Sequence, residues 1–310
     1  MTLPAPAGQE ARVPSACSRF GLPESGPFQL LAGDVGQRRY VRLRTWADAT
    51  VVLVLYPEPS SPAQERWRRI GEALAREGLR VPALLDDDPA SGTALVEDLG
   101  DRDLAADLRE AAPDERARLL EEAEELLAPL RGMAPEAALL NPPFDAAFLA
   151  SELGHTRRWA LEGDGARPLA PERAAEWEEL AARLAREAAD ASRVGGPVPT
   201  HRDFHANNLM RTPEGALALI DFQDLRLGHP DYDPVSLRFE RAGALVSSSG
   251  GDRSEAVLLQ RAWKVLGTFE KMLALGREVY RPHRDAALRT IRERTRPDGP
   301  FAPLLAFLPG

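Results

Sequence analysis

Residues 201–224 read HRDFHANNLMRTPEGALALIDFQD, and the reading of that stretch decides the fold. Its first eight positions hold two histidines, one aspartate and two asparagines, a density of hydrogen-bonding groups that a plain surface loop does not need. LMR then starts apolar, TPEG is a turn with Pro213 and Gly215, and ALALID is apolar up to Asp221. Strand, turn, strand is the natural reading, a β-hairpin. The two strands run in opposite directions, so their ends away from the turn are expected to meet. That brings Asn208 and Asp221 together with Asp203 close by. An amide oxygen and a carboxylate oxygen on facing strand ends suit a hard cation such as Mg²⁺. Asp203 would then sit beside the metal without being forced to ligate it.

Upstream, the first hundred residues read as sheet plus one helix. FQLL, RYVRLR and VVLVLY are short β-prone segments separated by AGDVGQ and TWADA, and two more strands are expected around VPALLDDD and TALVEDLG. SPAQERWRRIGEALAREG predicts a helix, capped by Ser61 with Pro62 at its first position and Gln64 completing a capping box. Trp67, Ile70 and Leu74 form its buried stripe. From Asp101 the character becomes helical. Helices are predicted over 113–131, 144–162, 171–190, on a face formed by Leu259, Ala262, Leu266, Phe269 and Leu273, and over 284–295. RVGGPVPT reads as a Gly/Pro break and SSSGGD as a flexible joint. The expected fold class is α+β and bilobal, with a small antiparallel β lobe over 1–97 and a larger, mostly helical lobe over 98–310. A cleft between two lobes commonly holds a small-molecule site.

Composition narrows the partners. The 310 residues carry 39 basic and 48 acidic side chains, a formal charge of −9, which disfavours nucleic acid and anionic membranes. The single cysteine, Cys17, rules out an internal disulfide and fits a reducing cytosol, and no segment reads as a signal peptide or a membrane span. A cytoplasmic protein is expected, in an oligomeric state the sequence leaves open. Lysine occurs only at Lys264 and Lys271; every other basic side chain is arginine.

His201, Asp203, Asn208 and the aspartate of IDFQD resemble the catalytic core of the eukaryotic-like kinases, H-x-D-x-x-x-x-N followed by a strand ending in a metal-binding aspartate. GHPDYDPVSL, the EDLGD join and the lobe order are similar to the aminoglycoside phosphotransferase and choline kinase superfamily. Within it, LAGDVGQRRYVRL, LVEDLGDRDL, HRDFHANNLM, IDFQDLRLGHPDYDPVSL and RAWKVLGTFEKM most resemble the N-acetylmuramate/N-acetylglucosamine anomeric kinases.

The resemblance implies an ATP-dependent sugar kinase using Mg²⁺, with a small amino sugar as acceptor and a sugar 1-phosphate as product. Asp203 would accept the proton of the attacking hydroxyl, and Asn208 and Asp221 would hold the metal. Asp233 would brace the catalytic loop from a helix, and His201 would brace it through a backbone hydrogen bond. His205 and Asp224 are placed to reach the substrate. Gly33 and Gly36 would cover the phosphates, and the Glu97–Leu99 backbone would bind adenine. The third strand lacks the lysine that such kinases usually pair with a helix glutamate, leaving Glu65 and Glu72 without that partner. Arg38, Arg39 and Arg42 are the candidate replacements, because a guanidinium binds phosphate oxygens bidentately. Removing the charge at one of them is expected to weaken nucleotide binding sharply. The rival expectations are the same fold acting on an aminoglycoside or choline, and a non-catalytic pseudokinase.

Overall fold

The computed structural model of the protein describes residues 9–24, 28–31, 38–241 and 254–309. The expected phosphate-covering residues Gly33 and Gly36 lie outside the described residues.

The described chain forms two compact units, residues 1–101 with 210–223, and residues 102–209 with 224–310. The first begins with helix α1 (Val13–Arg19) and continues through strands β1 (Gln29–Leu31), β2 (Arg39–Arg44) and β3 (Thr50–Leu55) to helix α2 (Pro62–Arg76). Strands β4 (Leu84–Asp88) and β5 (Thr93–Glu97) complete an antiparallel sheet of order β1-β2-β3-β5-β4. β3 lies between β2 and β5, and every residue from Val51 to Leu55 is buried. An uninterrupted run of Val and Leu therefore has no solvent face on which to place a charge. Val41, Leu43, Leu53, Leu55 and Leu95 pack with Val13, Ala16 and Cys17 of α1, a short helix that sequence periodicity alone does not predict.

α2 starts where the sequence predicts, with the Ser61 hydroxyl accepting from Ala63 N, and Trp67, Ile70 and Leu74 are buried. Gln64 does not close a capping box. Its amide donates to Asp87 and to the Thr93 carbonyl, tying α2 to the sheet.

The second unit opens with α3 (Leu104–Glu110), α4 (Pro113–Glu125) and α5 (Leu127–Gly132). The single helix expected over 113–131 is broken at Leu126. Pro129 has no N–H to give the preceding turn, so the α-helical ladder cannot run on. α6 (Ala146–Thr156) passes into a π-helical turn (Arg157–Leu161), and α7 (Pro171–Ala189) leads to the short strand β6 (Val198–Thr200).

The predicted hairpin forms next, as β7 (Leu209–Arg211) and β8 (Leu217–Leu219), joined through Thr212 N to Ala216 O and Gly215 N to Thr212 O. The expected partition differs here in two ways. The first boundary falls after Asp101 rather than after Glu97, and residues 210–223 cluster with the first unit. The reason is packing: Leu219 N donates to the Arg80 carbonyl, and Phe222 stacks on Trp67 of α2 at 5.3 Å. Gly71 leaves room for that ring, since a Cβ there would meet Phe222 at 3.2 Å.

The chain then returns to the second unit through β9 (Arg226–Gly228), α8 (Tyr232–Phe239), α9 (Glu255–Ala274) and α10 (Arg281–Arg294). β6 pairs antiparallel with β9, Thr200 opposite Arg226. The α9 face predicted from periodicity is buried apart from Leu273, yet the burial goes almost all the way round and includes Arg261. α9 and α6 approach closely at Gly267, where a Cβ would lie 2.6 Å from the Thr156 Cα. Trp177 and Trp263 belong to this core and meet edge to face.

Candidate active site

In the second unit, the loop after β6 carries four of the predicted residues, His201, Asp203, His205 and Asn208. Arg202 has φ +81°, a left-handed conformation that costs a non-glycine residue about 1 kcal/mol. Asp233, at the start of α8, offsets that strain. Its Oδ2 accepts from His201 N at 2.7 Å and its Oδ1 from Arg202 N at 3.0 Å. Arg202 and Asp224 lie just beyond the paired Thr200 and Arg226, and Arg202 Nη1 donates to Asp224 Oδ2 at 3.1 Å. The other guanidinium nitrogen of Arg202 reaches Glu152 of α6 at 3.1 Å, and Glu152 also accepts from Gln260 of α9.

Asp203 follows. Its backbone carbonyl accepts from His205 N and from the side-chain amide of Asn208, both within 2.9 Å. That hydrogen bond uses the amide nitrogen of Asn208, so the oxygen is directed elsewhere, and it accepts no hydrogen bond among the described residues. Asn207 donates to Asp103, the N-cap of α3. His205 is buried, and burial pulls its pKa down to about 4, so it is neutral near pH 7. Its Nε2 lies 3.5 Å from the Asn208 amide nitrogen.

Two cations on α9, one turn apart, converge on the Asp203 carboxylate, and sequence reasoning assigned a role to neither. Arg261 Nη2 is 3.0 Å from Asp203 Oδ1, and Lys264 Nζ is 3.3 Å from the same oxygen. Burial alone would raise the Asp203 pKa. The charges of Lys264, Arg261 and Arg202 outweigh it and hold the carboxyl well below the usual carboxylate range. Arg261 is itself anchored, donating to the Arg202 carbonyl at 2.9 Å and through Nε to Glu240 at 2.9 Å. The signal available in the sequence was a pair of cations three residues apart, inside an apolar helix, in RAWKVLGTFEKM.

Glu240 carries the cost of burying Arg261. Burial pushes its pKa up, but Arg261, His205, Arg241 and Lys264 bring it down to about 2. A folded-state pKa below the unfolded value means stabilisation that is complete at neutral pH and lost on acidification. The loss falls between about pH 4.3, the ordinary glutamate value, and about pH 2. Glu240→Gln is expected to lower stability by about 3 kcal/mol at neutral pH and to flatten the decline in that window. Urea midpoints measured across it for both proteins check the expectation, and parallel acid limbs would count against it.

In the first unit, Asp221, two residues beyond the end of β8, has φ +63° and is partly exposed. Its Oδ1 accepts from Arg38 Nη2 at 2.8 Å and from the Gln223 side-chain amide at 2.9 Å. Arg38 Nη1 closes the ring on Gln223 Oε1 at 3.0 Å. Of the three candidate arginines, Arg38 is the one joined to Asp221. Arg42 is committed to a two-pronged pair with Asp98 and to Asp101 at 2.8 Å, and Arg39 donates to the Arg38 carbonyl. Glu65 and Glu72 pair with Arg68 on their own helix. Glu97 uses its N–H on the Ala83 carbonyl and its carboxylate on Arg80, and Leu99 is buried.

Taken each within its own unit, the donors are of a kind that a hard divalent cation accepts. Asn208 offers an amide oxygen, and Asp221 keeps one carboxylate oxygen clear of the Arg38 and Gln223 hydrogen bonds. No cluster of three or more His, Cys, Asp or Glu side chains arranged around a metal occurs among the described residues. A magnesium ion that takes much of its shell from water and phosphate does not need one. A separate cavity of about 630 Å³ in the second unit is lined by residues such as Trp159, Arg167, Arg173 and Phe307, and contains none of the Asp203 cluster. No described helix is long and apolar enough to cross a membrane.

Comparison with known proteins agrees with this architecture. The chain is 32% identical to the N-acetylmuramate/N-acetylglucosamine kinase of Caulobacter vibrioides, over 66% of this chain and 64% of that protein. It is 31% identical to the protein of the same name from Pseudomonas aeruginosa, over 70% and 61%. The chain thus spans less than two thirds of the length of these curated relatives. Among solved structures, choline kinase LicA from Streptococcus pneumoniae superposes with a TM-score of 0.58 at 12% identity, covering 92% of this chain and 99% of that one. The expected α+β fold, a small antiparallel β unit and a larger helical one, is the fold observed. Residues 28–283 match the phosphotransferase enzyme family, and the chain belongs to that family.

Proposed function

We propose that the chain transfers the γ-phosphoryl group of ATP to the anomeric hydroxyl of N-acetylmuramate, N-acetylglucosamine or both, giving the sugar 1-phosphate and ADP. The observation that carries this reading is the Asp203 carboxylate, held by the Asp233-clamped loop and partly open to solvent. The acceptor class is supported by the shared name of the two curated relatives. In the step itself, the sugar oxygen forms a bond to the γ-phosphorus and the bond from phosphorus to the bridging oxygen of ADP breaks. The hydroxyl proton passes to Asp203. A hemiacetal hydroxyl is more acidic than an ordinary alcohol, which suits a carboxylate whose own basicity is low.

Asn208 and Asp221 would hold Mg²⁺, which when bound neutralises charge on the nucleotide phosphates. Arg38, beside Asp221, would take the part of the absent third-strand lysine.

The experiment is ATP turnover with Mg²⁺ and a panel of amino sugars, with the product identified by phosphorus NMR. The expected result is a 1-phosphate, and no turnover with the methyl glycosides, which lack the anomeric hydroxyl. A 6-phosphate, or turnover confined to aminoglycosides or choline, would overturn the acceptor assignment.

A further inference from the structure

Lys264 is one of two lysines in a chain that otherwise uses arginine for every basic position. Its surroundings separate it from the arginines nearby. Arg202 is paired with Glu152 and Asp224 through its two terminal nitrogens, and Arg261 with Glu240, Asp203 and a backbone carbonyl. The Lys264 ammonium has three protons to donate and makes one long hydrogen bond, 3.3 Å to Asp203 Oδ1. That oxygen is shared with Arg261, so Lys264 is not the only cation held against Asp203. The side chain as a whole remains 16% exposed, on the side of α9 that faces Asp203. Gly267, on the same helix, fixes the depth of α9 against α6 and so the reach of this side chain.

A hydroxyl bound to Asp203 sits about 2.7 Å from a carboxylate oxygen. With Lys264 at 3.3 Å from Oδ1, the ammonium cannot be far from the oxygen under attack or from the phosphorus bonding to it. Charge on the equatorial phosphoryl oxygens is what a fixed cation stabilises during this reaction.

We propose that Lys264 is a catalytic residue, donating to the phosphoryl group while it passes from ATP to the acceptor. The inference rests on the phosphotransfer reading above. The acceptor oxygen bonds to the γ-phosphorus, ADP departs with the bridging electron pair, Asp203 takes the hydroxyl proton, and Lys264 keeps its own protons throughout. A compact ammonium on a flexible stem can follow the phosphorus as it moves, which a planar guanidinium clamped by carboxylates cannot do.

The test compares Lys264→Met and Lys264→Arg with the wild type under steady-state conditions, using ATP and its γ-thio analogue. For Lys264→Met we expect kcat with ATP to fall about 100-fold. Both KM values should stay within about threefold of wild type, and the ATP preference over the thio analogue should shrink because one oxygen contact is gone. Lys264→Arg should recover part of the loss. A kcat within about threefold of wild type overturns the proposal. So does an unchanged kcat with a raised KM for the acidic sugar alone, which would make Lys264 a ligand for the acceptor carboxylate.

Melting temperatures of the variants separate misfolding from lost chemistry. If wild type phosphorylates an alcohol other than an amino sugar, the acceptor assignment fails while the Lys264 comparison runs unchanged on that alcohol. If no alcohol serves, single-turnover hydrolysis of bound ATP, with water as acceptor, makes the same comparison. Equal hydrolysis by wild type and Lys264→Met then overturns the proposal.

Discussion

Asp203→Ala is expected to lower kcat by about 10³-fold or more while leaving the fold intact, measured as sugar-dependent ADP release beside a melting curve. The activity loss follows from the proposed reaction, since no other carboxylate described around the loop is free to take the proton. Glu152 and Asp224 are held by Arg202, Glu240 by Arg261 and Asp233 by two backbone amides. Survival of the fold follows from the same network read the other way. Arg261 keeps Glu240 and the Arg202 carbonyl, so deleting Asp203 does not strand a buried charge. Lys264 is partly exposed and can take water in place of the lost oxygen. Asp203→Asn should be almost as slow, because an amide preserves the shape but accepts no proton. An alanine variant retaining a tenth of wild-type kcat would remove Asp203 from the base role.

The second large effect is on stability. Asp233→Ala is expected to cost about 3–5 kcal/mol, read as a shift in the urea midpoint. The carboxylate is buried and accepts from two backbone donors, and it holds Arg202 in its left-handed conformation. Without it the loop can relax to an ordinary backbone geometry, and Asp203, the next residue, moves with it. Activity should therefore fall together with stability, whereas Asp203→Ala affects activity alone. Burial pushes the Asp233 pKa up, so linkage at this group runs opposite to that at Glu240: acid favours the folded form here. Asp233→Asn, which keeps one acceptor oxygen, should lose roughly half as much. Equal stability of Asp233→Ala and wild type would show that the two amides find other partners.

What could be read from the sequence was what lies close along the chain. The hairpin at 209–219 and the α2 stripe of Trp67, Ile70 and Leu74 are local patterns, and they form as expected. The contacts that define the chemical character of the site are not local. Lys264 meets Asp203 across 61 positions, and Arg38 meets Asp221 across 183. Nothing in the spacing of either pair signals the encounter, which depends on how α9 packs and on where the hairpin docks. Gln64 illustrates the limit of local rules, since its position suits a cap but the sheet offers its amide a buried carbonyl. The break at Leu126 was legible in principle through Pro129, but the leucine repeat on both sides masked it. Burial on all sides of α9 hides the functional meaning of a charge there, because periodicity reports one apolar face and is silent about the others.

The docking of Phe222 against Trp67 also bears on how the chain matures during synthesis. The sheet-bearing unit is not a contiguous stretch of polypeptide; its last pieces lie beyond more than a hundred residues belonging to the other unit. A ribosome that has emitted the first 101 residues has released strands whose helix still lacks its aromatic neighbour. That surface stays uncovered until residue 222 leaves the exit tunnel, so the two units cannot mature as independent beads on a string, and a chain stalled between them is the form most in need of a chaperone.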